Sequence, residues 1–197
     1  MSQALRRDLQ IIADWIRPGS RVLDLGCGEG ELLSYLQKEK QVQGYGIEVD
    51  DERVAAALRR GVSVIQQDLD AGLRQFASGS VDAVVLSLTL QAVYYPRDLL
   101  LEMLRVGREG IVSFPNFGYW KNRLNILLGN MPVSRELPYQ WYDTPNVHLC
   151  TLDDFETFCR DHRVAVLDRR VMTGGNEVRV LPNLLGSTAV YRFQRGI

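Results

Sequence analysis

Apolar residues recur at helical spacing at the start of the chain, at Leu5, Leu9, Ile12 and Ile16, so residues 3–16 are expected to form an amphipathic helix. Pro18-Gly19 ends it. The pattern then changes to short apolar runs separated by helical stretches. Strands are expected at Arg21–Leu25, Gln41–Val49, Val62–Gln66, Val81–Ser87 and Gly110–Phe114, with helices starting at Glu31, at Asp51 (to Arg60) and at Pro96 (to Val106). The fourth run, Val-Asp-Ala-Val-Val-Leu-Ser, is almost uniformly apolar, as a strand buried on both faces is. Such alternation predicts an α/β fold, a mostly parallel sheet with helices on both faces. Further on, Leu152, Phe155, Phe158 and Cys159 share one face of a helix over Thr151–His162, with Thr151 as N-cap and Asp154 three positions later. Late strands follow at Val164–Val171 and Thr188–Phe193. There is no repeat, low-complexity tract or linker, so residues 1–197 are read as a single domain.

One stretch departs from this rhythm. Residues Pro115 to Cys150 separate the fifth strand from the next helix, where a minimal connection needs only a few residues. Seven aromatics fall in residues 114–142: Phe114, Phe117, Tyr119, Trp120, Tyr139, Trp141 and Tyr142. Ligands of open parallel sheets sit at the carboxyl ends of the strands, so this insertion is expected to overhang a ligand site. Three readings stand: a lid, a partner surface anchored by aromatics such as Tyr119, Trp120, Trp141 and Tyr142, or core beneath a long loop.

The candidate chemistry begins where the first strand ends. Val22-Leu23-Asp24-Leu25-Gly26-Cys27-Gly28-Glu29-Gly30 puts three alternating glycines between a strand and a helix. Glycine permits positive φ and close approach of a ligand to the backbone, and the following helix presents its free N–H groups there. The dinucleotide fingerprint needs its third glycine one residue later, and the Gly-Lys-Ser/Thr of a phosphate loop is absent. Asp24 suits a cationic ligand group better than a pyrophosphate. A tight turn without ligand is the alternative. Glu48 follows 22 positions after Gly26 at a strand tip, where a carboxylate can accept two ribose hydroxyls. Asp50 is expected to cap the next helix and Asp70 to be solvated.

The D-x-G-x-G-x-G pattern resembles motif I of class I S-adenosylmethionine-dependent methyltransferases. That resemblance implies a Rossmann-like, seven-stranded, mostly parallel sheet whose seventh strand inserts antiparallel, with Met172 to Gly186 as the loop between the last two strands. It implies S-adenosyl-L-methionine or S-adenosylhomocysteine as ligand, with Asp24 at the methionine end, the loop Gly26, Cys27 and Gly28 beneath it, and Glu48 and Val49 at the ribose. Asp68 then receives the adenine amino group, the Leu69 amide meets the ring, and Ser87 completes the cofactor set. A solvated turn acid is the other reading of Asp68. Cys27 is expected to turn its side chain beneath the loop, and Gln91 to face the cofactor or cap the turn.

Catalytic residues are harder to find. Methyl transfer from a sulfonium mainly requires positioning of the reactants, and a base only when the acceptor holds a proton. His148 is the candidate base, with hydrogen bonding to loop backbone as its other reading; His162 sits at a helix end and is given no chemistry. No Asn-Pro-Pro-Tyr motif appears, against methylation of base or glutamine amino groups.

Composition narrows the classes. A net charge of −1 with scattered lysines and arginines argues against nucleic acid. Three cysteines, Cys27, Cys150 and Cys159, offer neither a disulfide framework nor a metal spacing. No apolar run has the length of a membrane span, so a cytoplasmic protein is expected.

Longer motifs narrow the resemblance. Leu86-Ser87-Leu88-Thr89-Leu90-Gln91, Gly110-Ile111-Val112-Ser113-Phe114-Pro115-Asn116-Phe117-Gly118 and Leu137-Pro138-Tyr139-Gln140-Trp141-Tyr142-Asp143-Thr144-Pro145-Asn146-Val147-His148-Leu149-Cys150, together with the glycine motif, resemble the MetW family of methionine biosynthesis over nearly the whole chain. That family implies an accessory or activating role toward homoserine O-acyltransferase (MetX), rather than a simple small-molecule methyltransferase.

Overall fold

A computed structural model describes residues 5–134 and 137–196. The first helix, α1 (Arg7–Trp15), lies within the expected stretch; residues 3 and 4 fall outside the described residues. Then follow β1 (Arg21–Leu25), α2 (Glu31–Lys40), β2 (Gln43–Glu48), α3 (Asp51–Arg59), β3 (Ser63–Gln66), β4 (Val81–Ser87), α4 (Pro96–Val106) and β5 (Gly107–Pro115). The insertion holds α5 (Trp120–Leu127), and the chain continues through α6 (Leu152–Asp161), β6 (Val164–Thr173), β7 (Asn176–Glu177), α7 (Pro182–Leu185) and β8 (Thr188–Arg195).

The strands form one sheet in the order β3-β2-β1-β4-β5-β8-β6-β7. Neighbours from β3 to β5 pair in parallel, and β8 runs antiparallel between β5 and β6. Among the described residues the sheet therefore has eight strands where seven are expected. The extra strand is the two-residue β7, paired with Met172 and Thr173 inside the segment expected to be a plain loop. A ladder this short leaves no period in the sequence to find. That segment also folds the short helix α7.

Alternation along the central strands explains the two-sided core. Val84 and Leu86 of β4, Val112 and Phe114 of β5, and Tyr191 and Phe193 of β8 share one face with α4 and α6. Val85, Ile111 and Val190 turn the other way, onto α1 and α2. On the first face the rings of Phe114 and Tyr191 stack at 5.8 Å, and Phe155 from α6 lies 4.6 Å from Tyr191. Thr151 and Asp154 form the reciprocal capping box at the start of α6, which fixes where the insertion ends. Strand β5 is longer than expected because its ladder with β4 begins at Gly107, opposite Val81, directly after α4.

The insertion is pinned at its base. Asn116 bridges to Cys150, and the Phe117 amide donates to the Cys150 carbonyl at 3.0 Å. The buried Asn116 side chain donates to the carbonyls of Asn183 (2.9 Å) and Gly186 (2.8 Å) and accepts from the Gly118 amide (2.9 Å).

Candidate functional site

Strand β1 delivers the chain into Gly26, Gly28 and Gly30, all with positive φ. The Gly26 and Cys27 amides donate to the Ile47 carbonyl at 2.8 and 3.0 Å, tying the loop to the end of β2. Gly26 has no room for a side chain: a Cβ there would lie 2.7 Å from the Thr89 hydroxyl. Cys27 turns beneath the loop against Gly46. Burial, with Asp24 and Glu48 nearby, pushes its thiol up to about 12, so it stays protonated and is no nucleophile.

Two acids stand under and beside the loop. Asp24 is buried within β1 and makes no hydrogen bond among the described residues. Burial first, then the Glu48 charge, raises its carboxyl to about 7, while Arg6 pulls the other way. Glu48 is fully engaged with backbone. Its Oε2 accepts from the Gly28 amide at 2.9 Å, and its Oε1 accepts from the Val49 and Asp50 amides at 2.9 and 3.1 Å. The carboxylate thus clamps the glycine loop to the end of β2. Asp50 caps α3 through the Arg53 amide at 2.9 Å. Asp68 caps the short turn after β3 through the Asp70 amide at 2.9 Å. Asp70, expected to be solvated, instead accepts from the Tyr94 and Tyr95 amides at 3.0 and 3.2 Å, joining that turn to the segment after β4.

These elements border a cleft of about 930 Å³ at the carboxyl ends of the strands. Of the residues expected at a cofactor, Gly26, Glu48, Val49, Asp68 and Leu69 line it. Cys27 lies behind the loop, and the Gly28 amide is turned to Glu48. Ser87 is directed elsewhere: its hydroxyl lies 3.1 Å from Asp8 Oδ2 and 3.1 Å from the Ser113 hydroxyl. The insertion does overhang the cleft, through Pro138, Tyr139, Pro145 and Asn146. Gln91 carries it: the Gln91 carbonyl accepts from the Val147 and His148 amides at 2.8 and 3.0 Å. Gln91 also lines the cleft, and its side chain caps the turn by donating to the Leu88 carbonyl at 2.8 Å.

His148 lies outside the cleft. Its Nε2 is 3.2 Å from the Tyr94 carbonyl, which can only accept, so the ring donates there. It borders a second, apolar pocket of about 190 Å³ between α4, α6 and the insertion, and Gln91 lines both that pocket and the cleft. Among the aromatics taken as partner anchors, Tyr119 is buried, whereas Trp120, Trp141 and Tyr142 are exposed, the last two about 70%.

Sequence reasoning missed the contribution of the chain's start. Arg6 and Asp8 line the cleft, and the buried Asp8 receives the Arg6 guanidinium at 2.7 and 2.9 Å. A signal was present: Asp8 stands on the apolar face, between Leu5 and Ile12 at helical spacing.

Known proteins agree with this architecture. The family described as Methionine biosynthesis protein MetW matches residues 6–193. The bifunctional methionine biosynthesis protein MetXA/MetW of Rhodopirellula baltica is 37% identical over 97% of this chain. The chain spans about a third of the length of the curated relatives it matches. Among solved structures, a chain of the complex between the Haloferax volcanii Trm112 methyltransferase activator and the putative methyltransferase superposes with a TM-score of 0.70 at 16% identity, over 97% of this chain and 90% of that one. A S-adenosylmethionine-dependent methyltransferase of Thermotoga maritima, a possible histamine N-methyltransferase, gives 0.68 at 17% identity, over 96% and 87%. At such identities the likeness shows the Rossmann-like methyltransferase fold alone.

Proposed function

The chain belongs to the MetW family of methionine biosynthesis proteins, and from that premise we propose that it is an S-adenosylmethionine-binding accessory subunit of homoserine O-acyltransferase. The observation that carries the ligand half of this reading is the cleft's charge pattern. A buried carboxylate without a hydrogen-bond partner among the described residues, Asp24, lies within β1 two residues before Gly26, behind the cleft wall that Gly26 and Glu48 form. A cationic amino-acid ligand supplies what that carboxylate lacks. The residues present fit the cofactor: Gly26 leaves room for it, Glu48 holds the loop, and Asp68 and Leu69 form the opposite wall. S-Adenosylhomocysteine fits the same walls.

The partner half rests on the relative from Rhodopirellula baltica, whose name joins MetXA and MetW in one chain. Here the corresponding docking surface is the insertion. Its exposed Trp120, Trp141 and Tyr142 are the aromatic anchors that interfaces favour. The same insertion overhangs the cleft and hangs from Gln91, so ligand occupancy and partner contact meet on one element. Occupancy then biases the partner only if the ligand binds the free and partnered states with different affinity.

The test is homoserine acylation by the cognate acyltransferase with and without this chain, each with and without S-adenosylmethionine. A rise in rate or in acyltransferase lifetime on addition is expected; no change in either overturns the accessory role. A second reading, a methyltransferase acting on a small molecule, is favoured by the apolar pocket beside His148. A cofactor bound in the cleft would supply an electrophilic methyl group. His148, already donating through Nε2, presents Nδ1 as the atom that accepts a proton. Labelled methyl transfer to a metabolite in an extract would decide for it.

A further inference from the structure

The cleft and the apolar pocket share a wall. Residues 145–150 run along both: Pro145 and Asn146 overhang the cleft, while His148, Leu149 and Cys150 border the pocket between α4 and α6. Gln91 lines both cavities, and its carbonyl holds the Val147 and His148 amides in the middle of that segment. Leu90, Leu100, Phe114, Leu149, Phe155 and Phe158 make up most of the pocket's lining, around a volume of about 190 Å³. An apolar cavity of about 150 Å³ admits benzene, so this one has room for a single ring or a branched chain. Two acceptors in its wall are unfilled among the described residues. Gln91 Nε2 donates to the Leu88 carbonyl, which fixes the orientation of the amide and leaves Oε1 buried without a donor. His148 Nε2 donates to the Tyr94 carbonyl, which leaves Nδ1 as an acceptor. Arg97 and Asp154 border the pocket with one charge of each sign.

We propose that this pocket is a second ligand site, taking a small neutral molecule with an apolar ring or branched chain and one O–H or N–H group, and that its occupancy braces the overhang of the cleft. The apolar body gains by leaving water for a wall of leucine and phenylalanine side chains. The head must donate, because the unfilled groups are acceptors and a buried acceptor without a donor costs stability. A carboxylate has no proton to give either acceptor, and an ammonium meets the Arg97 charge. Bracing follows from the shared wall. A molecule packed against His148 and Leu149 restrains the segment whose two amides depend on one Gln91 carbonyl, and so favours the arrangement that keeps Pro145 and Asn146 over the cleft. This goes beyond the methyltransferase reading of the same pocket, since no group is transferred and the effect falls on the segment itself. The alternative is a void left where a long insertion packs over two helices, which binds nothing.

Methyl-resolved NMR on the full chain tests this, reading the resonances of Leu90, Leu100 and Leu149 during titration with benzyl alcohol, toluene and benzoate. Toluene has the ring without the donor, and benzoate replaces the donor with a charge. Benzyl alcohol is expected to shift all three leucines and to bind at least fivefold more tightly than either of the others. Saturation with it should slow hydrogen exchange of the Val147 and His148 amides at least threefold. No S-adenosylmethionine is added, so the outcome is independent of what the cleft binds. Shifts with none of the probes would establish an empty packing void and overturn the proposal. Equal affinity for benzyl alcohol and toluene, or tighter binding of benzoate, would overturn the class of ligand, and unchanged exchange would overturn the bracing. Gln91→Leu combined with His148→Phe removes both acceptors and keeps the Gln91 carbonyl. It is expected to abolish the preference for benzyl alcohol and retain toluene; a preference that survives would also count against the proposal. If that double variant does not fold, the comparison of probes on the wild type decides alone.

Discussion

The Glu48 carboxylate closes on the backbone amide of Gly28 at 2.9 Å, joining the end of β2 to the loop that follows β1. With the Val49 and Asp50 amides it also accepts, three donors depend on one side chain. Glu48→Ala is expected to destabilise the fold by about 1–3 kcal/mol, the cost of stranding such groups. It should also weaken S-adenosylmethionine at least tenfold. Denaturant melts and calorimetry read the two effects separately, and an unchanged melt would contradict the clamp.

Gly26→Ala tests the loop from the other side. Alanine at φ +67° is strained, and its Cβ would lie 2.7 Å from the Thr89 hydroxyl. Ligand binding is expected to disappear and stability to fall. In Gly26→Ala with Thr89→Ser, which removes the methyl group 2.9 Å from that Cβ, part of the stability should return. No recovery would mean that φ alone sets the requirement.

Asp24 makes stability depend on pH in the unusual direction. Its carboxyl is raised from 3.8 to about 7 in the fold, so the folded state binds the extra proton between those values. Its contribution to stability is fully present below about pH 4 and is lost as pH rises through 7. Asp24→Asn should therefore melt above the wild type at pH 8, by a margin that narrows toward pH 5. A margin that does not change with pH would show that Asp24 does not titrate in this range.

Asn116 holds the base of the insertion with buried bonds to two carbonyls and one amide. Asn116→Ala should cost roughly 2 kcal/mol or more. Hydrogen exchange should rise first at Gly118 and over α7, whose carbonyls and amides share that network; uniform exchange across the sheet would argue that the network is not local.

Trp141 and Tyr142 pack edge to face, ring centres 5.7 Å apart, with little else to bury them. Replacing both with Ala should leave stability within about 0.5 kcal/mol yet weaken the complex with homoserine O-acyltransferase at least tenfold. An unchanged affinity would move the docking surface elsewhere.

Much of the scaffold was legible because local pattern and burial coincide. Strands β1 and β4 and helix α4 lie where their apolar runs put them, and the Thr151 cap forms as its spacing requires. Glu48 and Gly26 stand at fixed steps from strand ends, so their place beside the cleft could be read from spacing, and that of Asp68 from the family resemblance. Contacts between distant segments left no such trace. Arg6 reaches Ser87, and Asp70 reaches the Tyr94 and Tyr95 amides, through folding of the whole sheet. Composition marked the insertion as aromatic but could not tell buried Tyr119 from exposed Trp120, adjacent residues where a turn enters α5.

The bridge between Asn116 and Cys150 means that the insertion departs from the sheet and returns to it at a single point. An excursion whose ends already touch can lengthen or shorten without moving the strands that border the cleft, because closure entropy grows only slowly with loop length. The exposed face of the insertion and the strand ends that border the cleft can thus change at different rates. Replacing residues 117–149 with a short linker is a way to separate the two by hand, leaving the sheet and its glycine loop without the cleft's overhang of Pro138, Tyr139, Pro145 and Asn146.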